Sequence, residues 1–141
     1  MFMLPHHVEV STDDDGFPAV AVTFDLAPEQ AAAAAHAVRT IREVRYRTFD
    51  MSADDVVAMR EMTSLADELA ELSARGGADH VRANIARLGA LRSALEEFAA
   101  NEHLEREGDA AARPIVFLLA DAVADLHAEA LRALLPPAPV A

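Results

Sequence analysis

The sequence predicts a mainly helical α+β protein, with an N-terminal β-hairpin followed by an antiparallel four-helix up-down bundle. Three observations carry this. Apolar residues alternate up to residue 26, and from residue 28 they recur every three or four positions. Pro and Gly fall where that periodicity breaks, at Pro28, Gly76-Gly77, Gly108 and Pro114.

The hairpin strands are expected at about 7–12 (HVEVST) and 19–26 (AVAVTFDL). Val8 and Val10 of the first share a face, as do Val20, Val22, Phe24 and Leu26 of the second. Between them lies DDDGFP, a turn in which Gly16 supplies the positive φ. An isolated hairpin is marginal in water, so its apolar face calls for cover by helices or by another chain.

The first helix, about 28–48, opens on Pro28 and runs through an alanine tract. Its stripe is Ala34, Ala37, Val38, Ile41 and Val44, and Arg39, Arg42 and Tyr46 fall together on a neighbouring face. Ser52 caps the second helix, about 53–75, with Asp55 three residues on in a capping-box position. The third, about 78–107, carries Asn84, Leu88, Leu91, Leu95, Phe98 and Glu102 at a spacing close to a coiled-coil seam. Residues 108–113 read as a loop. Pro114 opens the fourth helix, about 114–135, whose first turn IVFLL is apolar all round and is expected to be buried on several sides. Residues 136–141 (PPAPVA) read as a mobile tail of one domain spanning 1–141.

Composition removes several chemistries. The chain is acidic, net −12, with 12 basic residues that are all Arg. That balance disfavours direct binding to nucleic acid or to anionic membrane, both of which need clustered positive charge. Without Lys there is neither a Walker A loop nor a Schiff base, and the five glycines form no GxGxxG. Without Cys there is no disulfide and no thiolate nucleophile. The first ten residues lack the pattern of a signal peptide, and no stretch reaches the roughly 18 apolar residues of a membrane span, so a cytoplasmic location is expected.

The motifs that remain point weakly to chemistry. Asp13-Asp14-Asp15-Gly16 lacks the alternate spacing and distant Glu of a calcium loop and reads as a solvated turn. His36, His80 and His127 could approach one end of a bundle and would suit zinc, but His36 projects off its apolar stripe and no ExxH pair accompanies them. No metal, no cofactor and no catalytic residue is assigned. Asp121, Asp125 and Glu129 step down the fourth helix at i, i+4, i+8, a spacing at which like charges repel. The simplest relief is a match with the Arg39/Arg42/Tyr46 face of the first helix. Arg and Tyr are also the residues enriched at interaction hot spots.

The reading is therefore a non-enzymatic protein–protein interaction module, homo-oligomeric, with a regulatory or adaptor role. Its partners are itself and another protein, and its interaction surface is Arg39, Arg42, Tyr46, Asp121, Asp125 and Glu129. The competing reading is a small-ligand or metal-binding helical bundle, with enzyme activity left open.

Overall fold

The computed structural model describes residues 4–48, 52–76, 80–101 and 107–135, without the side chains of 47, 48 and 80. The elements run β1 (His6–Thr12), β2 (Pro18–Asp25), α1 (Pro28–Thr48), α2 (Ala53–Ala74), β3 (His80–Asn84), α3 (Ile85–Ala100) and α4 (Asp109–Leu134). The class is the predicted one: mainly α, with an N-terminal hairpin and four helices.

The hairpin forms in the register that the alternation requires, with Val8 opposite Val22 and Val10 opposite Val20. Asp13 closes its turn. One carboxylate oxygen accepts from the amides of Asp15 (3.0 Å) and Phe17 (2.8 Å), and Gly16 takes φ 85°. The DDDG run is thus a turn whose first carboxylate is already occupied by backbone amides.

A third strand corrects the long helix expected over 78–107. Residues 80–84 pair antiparallel with β2, in the order β1-β2-β3, and place Ala83 opposite Val22 and Val81 opposite Phe24. The physical reason is local. HVRAN alternates, with Val81 and Ala83 buried and Arg82 exposed, and it satisfies the backbone groups along the second edge of β2. Asn84, assigned above to a helical seam, is the N-cap of α3, and its side-chain oxygen accepts from the Arg87 amide at 2.8 Å. The rest of that seam is sound, since Leu88, Leu91, Leu95 and Phe98 are all buried. Glu102 lies outside the described residues.

Two further boundaries follow local chemistry. The capping box forms as expected, Ser52 and Asp55 each satisfying the other's amide. By contrast, α4 begins at Asp109 rather than at Pro114. Residues 110–113 are good helix formers. Pro114 costs only the bond to the carbonyl of Ala110, on an exposed side that water can reach.

Helix α1 is the middle of the molecule. Ala33, Ala34, Ala35, Ala37, Val38, Thr40 and Ile41 are all buried, which leaves only a narrow solvent-facing strip of Ala32, His36 and Arg39 along that part of the helix. It packs against α2, α4 and α3, whereas α2 and α3 meet over a small area that includes the Arg87–Glu68 pair. The helices are therefore grouped around α1 rather than arranged in a ring of sequential neighbours. Beyond Ile41 the same helix leaves the core, and its Arg and Tyr residues emerge there.

Candidate functional site

The emerging end of α1 and the outer side of α2 enclose an open groove of about 1030 Å³. Its lining includes Arg42 and Tyr46 from α1, with Val56, Met59, Arg60 and Thr63 from α2. The i, i+4 step from Arg42 to Tyr46 puts both on one face, and the steps of three and four from Val56 to Thr63 do the same on α2. Thr63 is fixed by donating to the Met59 carbonyl (2.9 Å), and its oxygen then accepts from Arg42 at 2.6 Å. Tyr46 stands out of the lining, 68% exposed.

The charges of this groove are unequally matched. Arg39 pairs with Asp67 at 3.4 Å, and Arg87 of α3 reaches Glu68 at 3.2 Å. Arg42 and Arg60 meet no acidic side chain among the described residues. Glu43, Asp67, Glu68 and Glu71 also line the groove, but the last three are held by Arg39, Arg87 and Arg75, and Glu43 is engaged as well. Arg42 and Arg60 are therefore the lining charges without a counter-ion among the described residues.

The expected match between α1 and the acidic ladder of α4 does not form. Arg39 and Arg42 face α2, and Arg45 reaches Glu97 (3.2 Å) and Ser93 (3.0 Å) of α3 as well as Met62 Sδ (3.6 Å) of α2. The α1 side that meets α4 carries His36 instead. On α4, Glu129 bonds His6 at 2.7 Å, while Asp121 and Asp125 are exposed and have no cationic partner among the described residues. The apolar first turns of α4 are also less enclosed than expected. Val116 and Leu119 are buried, but Phe117 and Leu118 are 51% and 56% exposed. Phe117, Leu118, Asp121 and Asp125 share one outward face, spanning about 100° of helix.

The three histidines are not brought together. His36 bonds Asp109 at the start of α4, whereas His127 lies 18 residues further along that helix, about 27 Å at 1.5 Å per residue. His127 sits over Gly89 and takes a hydrogen bond at Nδ1 from Arg92 (3.2 Å). Burial and the Arg92 charge push its pKa below the usual histidine range. The backbone of His80 belongs to β3, and its side chain lies outside the described residues.

Sequence reasoning missed one constellation. His36 Nε2 lies 2.5 Å from Asp109 Oδ1, with the carboxylate 2% exposed and the imidazole 29%. The Phe98 ring meets the imidazole edge-on at 5.8 Å. Gly108, at φ 90°, leaves the imidazole its space, because a Cβ there would stand 3.1 Å from His36 Cε1. Beside the pair is a hollow of about 300 Å³ whose lining includes Glu29, Ala33, Gly108, Ala112 and Ile115. The available signal was Gly108-Asp109 itself, an acid immediately after a glycine, which suits a helix start.

No protein-family model matches the chain, and neither a curated protein nor a solved structure is significantly similar to it. No helix among the described residues is long and apolar enough to cross a membrane.

Proposed function

We propose that the protein is a non-enzymatic protein–protein interaction module, homo-oligomeric and with a regulatory or adaptor role in the cytoplasm, that receives partner segments in the α1–α2 groove. One observation supports this above the others: Arg42, Arg60 and Tyr46 line an open groove and neither guanidinium has an acidic partner within the described chain. Tyr and Arg dominate binding energy at interfaces because they combine large contact area with directional hydrogen bonding. Arg39 belongs to the rim, since Asp67 already holds it. The test is affinity capture from the host with the wild-type chain and with Arg42→Glu/Arg60→Glu. The variant is expected to lose captured proteins that the wild type retains. An identical set from both rules out the groove as the recognition surface.

A second reading, a small-ligand-binding bundle, has its own support in the His36–Asp109 pair beside the 300 Å³ hollow. A buried carboxylate that orients a partly exposed imidazole leaves Nδ1 available to a ligand. A thermal-shift screen of small polar organic compounds would give hits that vanish in His36→Ala. Hits that persist in the variant would remove this reading.

A further inference from the structure

We infer that the α1–α2 groove of one copy receives the outer face of α4 from a second copy of the same chain. This rests on the proposed interaction role and names its partner. The two surfaces have matching contents. The groove offers Tyr46, Val56 and Met59 with Arg42 and Arg60, which have no acidic partner among the described residues. Its carboxylates Asp67, Glu68 and Glu71 are held by Arg39, Arg87 and Arg75, and Glu43 is engaged. The α4 face offers Phe117 and Leu118 with the unpaired anions Asp121 and Asp125. Each surface exposes an apolar cluster and carries two charges that nothing in the described chain neutralises, and the two signs are opposite.

Within one copy the surfaces cannot meet. The α4 face is exposed, α2 and α4 make no contact, and neither Asp121 nor Asp125 pairs with Arg42 or Arg60 among the described residues. The ladder on α4 keeps its mutual repulsion only while it stays free of cations. Docking against Arg42 and Arg60 relieves that repulsion and covers Phe117 and Leu118 in the same step. The contact is heterologous, groove to helix, so two copies close into a dimer when both contacts form together and extend head to tail when they do not. Other residues of the two elements do not compete for this role. Glu129 is held by His6, and Arg39 by Asp67.

Sedimentation velocity of the full chain from micromolar to submillimolar concentration tests this, with circular dichroism as the check on folding. The wild type is expected to self-associate. Groove reversal (Arg42→Glu/Arg60→Glu) and helix reversal (Asp121→Arg/Asp125→Arg) should each raise the apparent dissociation constant about tenfold or more. Mixed at equal concentration, the two variants should associate again, because the acidic groove of one meets the basic helix of the other. Arg60→Glu alone and Phe117→Ser/Leu118→Ser, at exposed positions, guard against a folding defect and should weaken association in the same direction. A wild type that stays monomeric, an association indifferent to both reversals, or a mixture that stays dissociated overturns the inference. If host proteins are nevertheless captured through Arg42 and Arg60, the interaction role survives and only the self-partner is lost.

Discussion

Gly108 shows how much a single residue decides in this fold. It takes φ 90° as the N-cap of α4, and the missing Cβ is what lets His36 reach Asp109. Gly108→Ala therefore meets two obstacles, a left-handed backbone that costs about 1–3 kcal/mol for a non-glycine residue and a methyl group against the imidazole. The expected result is a loss of that size in chemical denaturation. An unchanged denaturation midpoint would show that neither obstacle operates. At this scale the sequence was only partly legible. The Ser52 cap and the Asp13 turn follow from residues three or four apart, and both formed as read. The His36–Asp109 pair joins residues 73 apart, and no local pattern announces it. The same limit explains the α1–α4 charge match that does not form. Helical projection gave the faces correctly, but which helix each face would meet is decided by packing elsewhere.

Between elements, two histidines with opposite pH behaviour tie helices to their neighbours. His6 links β1 to α4. Its Nδ1 donates to the Leu4 carbonyl (2.9 Å) and its Nε2 to Glu129 (2.7 Å), and with acceptors on both nitrogens the protonated ring is the form that satisfies both. The Leu4 bond, and then Glu129, raise its pKa above the ordinary value. A histidine raised in the folded state adds stability that is complete below pH 6.5 and is lost as pH climbs through the folded pKa. His127 joins α4 to α3 with the opposite sign: burial and Arg92 lower its pKa, so stability falls as pH drops through 6.5 and the unfolded chain takes up the proton first. In urea titrations over pH 5–8.5, His6→Gln should lose most, relative to wild type, on the acid side. His127→Gln should gain there. Either trend with the reverse sign would contradict the assignments. Element identity was the most readable property of the sequence, because period two and period 3.6 are distinct signals. The exception is β3. Five residues of alternation next to a long apolar helical repeat were absorbed into that repeat, and only the open edge of β2 reveals them as a strand.

At the scale of the whole molecule, charge and architecture act together. The alanine tract lets α1 sit centrally, because small side chains allow three other helices to approach it. The cost is that, after its first turn, α1 shows solvent only the narrow strip of Ala32, His36 and Arg39 until it leaves the core after Ile41. Residues 42–46 are the longest consecutive run of α1 with no buried member among the described residues, and they lie in the densest positive charge of the chain. The predicted class was legible because it depends on element types and their order. The grouping around α1 was not, since it follows from which faces are small rather than from which are apolar.

The strand β3 also sets an order of events during synthesis. The second edge of β2 is complete when Asp25 is made, yet its partner begins at His80, with 26–79 between them. At about 5–20 residues per second, that interval is roughly 3–11 s. Throughout it, the hairpin offers an unpaired edge carrying the alternating valines of a β-former, with two helices already made and the sheet still open. The nascent chain is thus most exposed to strand-mediated association before Asn84 appears. Closing the sheet and capping α3 then occur at the same residue.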